Sequence, residues 1–397
     1  MGCCQKKKPE KLLEKNLNQN KDEILNVEES TAKVEEDNNT NELDSHNLNV
    51  KLTYNDFIPL KLLGRGSFGE VLLVRLKVNN KLYAMKILNK DLLKIKKQQT
   101  HTKTERNLMV KINSPFIVNI KSAFQDQTKL YIVTEFMQGG DMFFHMHDAN
   151  EPFKMDRVKF YVMELVLALD FLHKNNMVYR DLKPENILLD IKGHIKLTDF
   201  GLSKILETEG DKAYTICGTP QYLAPEVILK KGYDKAVDWW SLGCVMYEML
   251  TGKLPFPIRK GIKLSRRIYQ HEVDYPKKMD NNAKDLIQKL LIIDPNARLG
   301  SGPEGGEKIK HHPFFKGINW KNVQDRKVKP PFIPKLKKET DLKYFDTMFT
   351  NEEIGKDNTK AAFRDREASN EYNGFTYVDG SVNKELLNFV RNASDSE

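Results

Sequence analysis

The chain has 397 residues, 40% of them hydrophobic and 30% charged, enough for one large or two modest domains with substantial cores. Its net charge of +9 suits an anionic partner without singling out nucleic acid, membrane or phosphorylated substrate. No run approaches the length of a transmembrane helix, the N-terminus lacks the apolar core of a secretory signal, and Cys3, Cys4, Cys217 and Cys244 have no metal spacing, which together favour a reducing compartment.

The first residues read "MGCCQKKKPE". Gly2 is a candidate for myristate after removal of Met1, Cys3 and Cys4 are candidates for palmitate, and Lys6, Lys7 and Lys8 suit anionic headgroups. A single acyl chain anchors marginally, and a second chain or a basic patch is needed for a stable hold. Residues 1–8 offer both, although Lys6 stands where the myristoylation pattern wants Ser or Thr. Residues 9–50 are rich in Asn, Glu, Asp and Lys; "EKLLEKNLNQ" suits a short helix that nothing sustains, and the stretch reads as a mobile spacer.

From Tyr54 the pattern changes. "FIPLKLLGRG", "EVLLVRLKV" and "KLYAMKIL" are strand-like, "QQTHTKTERNLMVKI" has helical spacing, and "FIVNIKSAFQ" and "KLYIVTEF" return to strands. From about Met155 the apolar spacing is mostly helical, in "DRVKFYVMELVLALDFLHKN", "AVDWWSLGCVMYEML" and "AKDLIQKLLI". A strand-rich lobe followed by a helix-rich lobe is an α+β arrangement with a cleft between them. Beyond about Phe315 the chain turns basic and proline-rich, "KVKPPFIPKLKK", and reads as an extended segment running over a surface.

"GRGSFGEV" sets Gly64, Gly66 and Gly69, with Arg65, Ser67 and Phe68, between two strands, where small residues let backbone amides approach phosphates. A following helix would suggest a dinucleotide fold; here a strand follows, and Lys86 lies seventeen residues beyond Gly69. Lys86 would meet the α and β phosphates, and Glu105 would hold its ammonium. Further on stand "VYRDLKPENILLD" and "KLTDFG".

With these the sequence resembles the protein kinases over residues 57–315, in the order Gly loop, Lys86, Glu105, Asp181, Asn186, Asp199 and "APE" at 224–226. The resemblance implies a bilobal fold: a small mostly-β lobe, about 57–136, with one regulatory helix, and a large mostly-α lobe, about 137–315. Asp181 would be the catalytic base, Lys183 would neutralise the moving γ-phosphoryl of ATP, and Asn186 and Asp199 would hold Mg2+. A buried carboxylate such as Asp199 would be costly without a cation, a physical reason to place metal there. Val71 and Ala84 would belong to the same nucleotide site, Thr134 would stand at its back, and Glu135 and Met137 would offer backbone contacts to adenine. All catalytic positions are filled, so a pseudokinase is not expected.

"YRD" at 179–181, "LKPEN" and "GTPQYLAPE" resemble the basophilic AGC group of serine/threonine kinases, and Lys183 stands where tyrosine kinases carry a different catalytic loop. Asp141, Glu185 and Glu248 match positions that receive upstream arginines of the target, with Asp141 also serving the ATP ribose. By the same resemblance, phosphate on Thr215 would pair with Arg180, Lys204 and His101, while Thr219 would bond to Asp181 and Lys183. Glu226 and Arg298 look like a buried structural ion pair, and Cys217 and Cys244 like packed thiols.

Residues 316–380 resemble the tail of this group. Within it "YFDTMFT" at 344–350 would lie beside the nucleotide cleft, with Phe345 on the adenine side. "YNGFTY" at 372–377 resembles the hydrophobic motif, closest to that of the ribosomal-protein kinases of growth signalling. Tyr372 and Phe375 would fill a groove beside the Glu105 helix, with phosphate on Thr376 adding bonds at its rim. A Pro-directed site between Phe349 and Tyr372 is missing, with Thr359 and Ser369 as weak substitutes, so docking is expected to lean more on Thr376. Residues 381–397 read as a flexible terminus.

The expectation is a phosphoryl-transferring enzyme on the cytoplasmic face of membranes, with a cytoplasmic fraction. It would act on Ser/Thr proteins with upstream Arg or Lys, and be activated at Thr215 and Thr376 by upstream kinases, one of the phosphoinositide-dependent type. A membrane-tethered nucleotide-binding scaffold is the alternative. No nucleic-acid partner is expected, because only the basic charge suggests one. No domain for cyclic nucleotide, phosphoinositide or diacylglycerol fits in the first fifty residues, so direct regulation by those messengers is not expected.

Overall fold

The computed structural model describes residues 51–148, 151–208, 210–257, 268–269, 273–355 and 370–394. Gly2, Cys3 and Cys4, the spacer, Thr359 and Ser369 lie outside the described residues.

The first lobe is built on β1 (Phe57–Gly66), β2 (Gly69–Leu76) and β3 (Leu82–Asn89), then α1 (Lys90–Ile95), α2 (Gln99–Lys111), β4 (Ile120–Gln125) and β5 (Lys129–Glu135). Alternation decides what each face does. Leu72, Val74, Met85 and Ile87 enter one buried cluster with Phe57, Phe124 and Tyr131. Val71, Ala84 and Lys86 point the other way: Val71 lies directly opposite Lys86 across the strand pair, and Ala84 is two residues from it. α1 starts because the Asn89 side chain accepts from the N–H groups of Asp91 and Leu92.

The second lobe runs through α3 (Met142–Asp148), α4 (Met155–Lys174), β6 (Met177–Val178), β7 (Ile187–Leu189), β8 (Ile195–Leu197), β9 (Lys204–Ile205), α5 (Pro225–Ile228), α6 (Ala236–Thr251) and α7 (Asn281–Leu290). Every residue of α6 from Ala236 to Met249 is buried, the pattern of a helix surrounded by protein. α6 ends at Gly252, whose φ of 68° is the left-handed cap that glycine adopts without strain. α8 (Gly306–Lys310), α9 (Trp320–Gln324) and α10 (Thr347–Thr350) follow, and the chain then returns to the first lobe as β10 (Tyr377–Val378) and α11 (Gly380–Ser394).

That return gives, among the described residues, a six-stranded antiparallel sheet in the order β1-β2-β3-β5-β4-β10. The molecule is thus a bilobal kinase fold, strand-rich then helix-rich. One expectation is corrected. Residues 380–394 form a helix where a flexible terminus was anticipated, because Val382 and Leu386, one turn apart, bury themselves at 4% exposure each in the outer cluster of the small lobe. Among the described residues no helix is long and apolar enough to cross a membrane.

Candidate active site

The hairpin joining β1 to β2 carries the glycines. Gly66 pairs with Gly69, and a Cβ on Gly69 would stand 1.8 Å from the Ile87 carbonyl oxygen, so only glycine fits there. A Cβ on Gly64 would meet nothing within 4 Å. The loop is held from outside. Lys96 Nζ donates to the Ser67 carbonyl at 3.3 Å and lies 5.1 Å from the Phe68 ring centre, and Arg65 pairs with Glu352 at 3.0 Å.

Below the loop, Lys86 Nζ lies 2.7 Å from Glu105 on α2 and 3.3 Å from Asp199. Burial alone would lower the lysine's pKa, but the charges of Asp199 and Glu105 outweigh it and hold the ammonium above its ordinary value. Burial pushes the Glu105 carboxyl up, with Lys86 pulling against it, whereas Lys86 holds Asp199 below the usual carboxylate range. The Asp199 side chain is not buried as anticipated: half of it is exposed to the cleft, and its near cation is Lys86. Its backbone takes a φ of 58°, left-handed without being glycine.

On the facing loop, Asp181 is 8% exposed and receives a bond from each of three directions. Lys183 Nζ approaches at 3.0 Å, the Thr219 hydroxyl donates at 3.1 Å, and Asn186 Nδ2 donates at 2.9 Å. Thr219 also accepts from Lys183 at 3.0 Å, so it ties Asp181 and Lys183 together as anticipated. The loop itself hangs on Asp238 of α6, whose buried carboxylate accepts from the N–H groups of Tyr179 (2.9 Å) and Arg180 (2.8 Å) and pairs with His173. Arg180 sits at a φ of 70°, and this carboxylate helps hold the strained turn. The amide nitrogen of Asn186 is committed to Asp181, which leaves its side-chain oxygen, like the half-exposed Asp199 carboxylate, as a hard-oxygen donor. Oxygen donors of this kind would suit Mg2+.

A family model described as "Protein kinase domain" matches residues 57–315. The chain belongs to the protein kinase family. It is 46% identical over 304 residues to RAC-beta serine/threonine-protein kinase A of Xenopus laevis, covering 77% of this chain and 62% of that protein. To the human RAC-beta kinase it is 45% identical over 305 residues, 77% of this chain and 63% of that protein. To protein kinase 2 of Dictyostelium discoideum it is 45% identical over 335 residues, covering 84% and 69%. The chain thus spans 62% to 63% of the length of these RAC-beta relatives. Its kinase domain is of the AGC serine/threonine group and related to theirs; these names lend no specific support to the ribosomal-protein branch.

In this kinase the carboxylates matched to substrate recognition have unequal surroundings. Asp141 caps α3, its Oδ1 accepting from the Phe144 N–H at 2.7 Å, and burial raises its pKa. Glu248 is 8% exposed, accepts from the Tyr222 hydroxyl at 2.7 Å, and is likewise raised by burial. Glu185 is exposed, and its negative charge adds to the upward shift of both. Around the exposed Thr215, Arg180 donates to the Leu202 carbonyl and to the Tyr233 hydroxyl, while the His101 ring bonds to Gln98 at 2.7 Å. Lys204 lies in β9. Among the described residues no hydrogen bond or ion pair joins His101, Arg180 and Lys204. Arg298 is fully buried and makes a fork to Glu226 at 2.7 and 3.0 Å. Burial raises the Cys244 thiol, and Cys217 lies near the Tyr233 hydroxyl.

The strand that leads out of the cleft carries Thr134, whose hydroxyl reaches the Ala84 carbonyl at 3.5 Å. The backbone N–H of Glu135 donates to Asn119 at 3.2 Å, its carboxylate pairs with Lys196 at 2.7 Å, and the Met137 carbonyl accepts from Gly140. Beside them Phe345 stacks on Phe136 with centres 5.7 Å apart. Tyr372 and Phe375 are 1% and 3% exposed. Lys90 of α1 and Lys103 of α2 approach the Tyr372 ring at 5.4 and 5.5 Å. Thr376 is exposed.

Several working residues escaped the sequence reading. Arg106, next to Glu105, donates to the carbonyls of Phe375 (3.0 Å) and Thr376 (2.8 Å). Gln125 donates to the Tyr372 carbonyl at 2.9 Å, and Gln138 to that of Lys338 at 2.6 Å. His145 donates to Gly139 at 2.7 Å under the rings of Tyr344 and Phe332. Only Asp238 had a usable signal, an acid inside the apolar run "AVDWW".

Proposed function

We propose that this chain transfers the γ-phosphoryl of ATP to Ser or Thr hydroxyls in proteins with Arg or Lys upstream of the target. It would thus be a non-specific serine/threonine protein kinase of an intracellular signalling cascade. The observation that carries the reading is the Lys86 ammonium set between Glu105 at 2.7 Å and Asp199 at 3.3 Å. A lysine so held presents its remaining N–H to phosphate oxygens, while Glu105 fixes its direction. Asp181 accepts the proton of the attacking hydroxyl, and Lys183, 3.0 Å away, offsets charge on the moving group. Asp199 and Asn186 would hold Mg2+, which when bound would supply neutralisation of phosphate charge. Backbone amides around Gly64, Gly66, Ser67, Phe68 and Gly69 cover the phosphates, Val71 and Ala84 flank the base, and Glu135 and Met137 border it.

Glu185 repels both Asp141 and Glu248 electrostatically, and an upstream arginine relieves that repulsion through charge-assisted bonds. Phosphate on Thr215 draws Arg180, Lys204 and His101 together, and phosphate on Thr376 tightens the tail, each added by an upstream kinase. Acylation at Gly2 and Cys3 or Cys4 places the enzyme on the cytoplasmic face of a membrane. The motif at 372–377 keeps a likeness to the ribosomal-protein kinases within this reading.

The test is incorporation of labelled phosphate into a Ser peptide with upstream arginines, by activated wild type and by Asp199→Ala. Transfer lost in the variant supports an enzyme; no transfer by either leaves a nucleotide-binding scaffold. Equal membrane fractions for wild type and Gly2→Ala would remove myristate from the account.

A further inference from the structure

The hydrophobic motif is gripped without phosphate. Within it Gln125 holds the carbonyl of Tyr372, and Arg106 those of Phe375 and Thr376. On its C-terminal side Tyr377 and Val378 pair with Ala123 and Ser122 of β4, and the ladder continues as Asp379 N–H donates to the Lys121 carbonyl at 2.9 Å. Asp379 then starts α11: its carboxylate accepts from the Ser381 N–H at 3.0 Å, and Lys121 stands 3.7 Å away.

α11 crosses the sheet on the face away from the cleft. Val382 and Leu386 close over Tyr83, Met85, Ile87, Phe124 and Tyr131. Glu385, between them on the same side, pairs with Lys81 at 2.6 Å and accepts from Asn79 at 2.5 Å, at the turn between β2 and β3. Two buried aliphatic side chains, an ion pair and a hydrogen-bonded strand all lie immediately after the motif.

We infer that α11 is a clasp: it keeps Tyr372 and Phe375 seated against α2 when Thr376 carries no phosphate, and so keeps Arg106 and its neighbour Glu105 in place for Lys86. The sequence alone suggests docking that leans on Thr376. The clasp removes most of that dependence, because it supplies the fixing energy from an element that is always present. Its role is positioning: no clasp residue enters the cleft.

The inference rests on the proposed phosphotransfer only for one of its two readouts. Full-length protein, fully phosphorylated at Thr215, is compared with Thr376→Ala, with the clasp variant Val382→Asp/Leu386→Asp, and with the combination. Peptide phosphorylation and amide exchange across residues 99–111 are both measured. With the clasp intact, Thr376→Ala should lose no more than about threefold in kcat/KM; with it broken, the same substitution should lose about tenfold or more. Exchange in α2 should rise only in the combination. A second pair guards against misfolding: Glu385→Lys should sensitise the enzyme to Thr376→Ala, and adding Lys81→Glu should restore its tolerance. An equal cost of Thr376→Ala in all backgrounds, or α2 exchange indifferent to the clasp, would overturn the inference. A chain with no phosphotransfer at all would fail the proposed function, while the exchange measurement would still decide on the clasp.

Discussion

Two charge sites in this molecule are made of the same chemistry and put to opposite uses. In the large lobe Arg298 and Glu226 are closed in: the guanidinium also donates to the carbonyls of Ala236 and Ile292, and both side chains are nearly or wholly buried. In the cleft Lys86 has two carboxylates from different elements, and one of them, Asp199, is half open to solvent. The closed site has every partner supplied by the chain, so it fixes structure. The open site keeps unused valence on one side, so it has something to offer a ligand. Burial and completeness separate scaffold from chemistry here, not the residue types.

The closed site should fail as a scaffold fails. Arg298→Ala leaves the Glu226 carboxylate buried without its cation, and should lower unfolding free energy by about 3–5 kcal/mol in denaturant titration. Loss of activity without loss of stability would break the distinction. The exposed carboxylate proposed to receive upstream arginines should behave as an open site. Glu185→Ala should reduce kcat/KM for peptides with upstream arginines by roughly thirty-fold, about 2 kcal/mol, and spare peptides lacking them. Equal losses on both peptides would mean that the lobe had been damaged instead.

His145 is a closed site with no charge in it. Burial depresses its pKa to about 4, with Arg157 adding to the shift and Asp148 opposing it. Unfolded chain takes the proton near the ordinary value of about 6.5, so the contribution present above that pH is lost as pH falls towards 4. By pH 5 the loss reaches about 2 kcal/mol, and His145→Gln should remove that part of the pH 7 to pH 5 difference in stability. An unchanged difference would place the acid sensitivity elsewhere. Tyr372 is closed but incomplete, its buried hydroxyl having no hydrogen-bond partner among the described residues. Tyr372→Phe should therefore hold or raise stability, by about 1 kcal/mol at most, without loss of transfer. A clear destabilisation would give the hydroxyl a partner that the account lacks.

The same contrast explains what could be read from sequence. Gly69, Lys86, Asp181 and Asn186 sit at spacings imposed by chemistry, and those spacings survive as text. The strands and helices that carry them also announced themselves through alternation and helical periodicity. Burial did not. A metal-binding role suggests a buried Asp199, yet nothing in "KLTDFG" states which way the carboxylate opens. Glu248, within an apolar helix, gave no hint of the Tyr222 hydroxyl that satisfies it, since that partner lies 26 residues away. α11 escaped for a related reason: its packed face is little more than Val382 and Leu386, too short a pattern to outweigh a polar sequence at a chain end. Asp379 followed by apolar residues one turn apart was the trace it left.

The central claim is that the open site does chemistry and the closed site holds the fold. It is tested most directly by phosphoryl transfer and thermal melting measured together on Asp199→Ala, which keeps the Lys86–Glu105 pair, at equal folded concentration and full Thr215 phosphorylation. The account predicts transfer lowered by about a hundredfold or more, with the melting midpoint moved by no more than about 2 °C. Transfer near the wild-type rate would contradict it, and so would a collapse in melting temperature large enough to explain the lost activity.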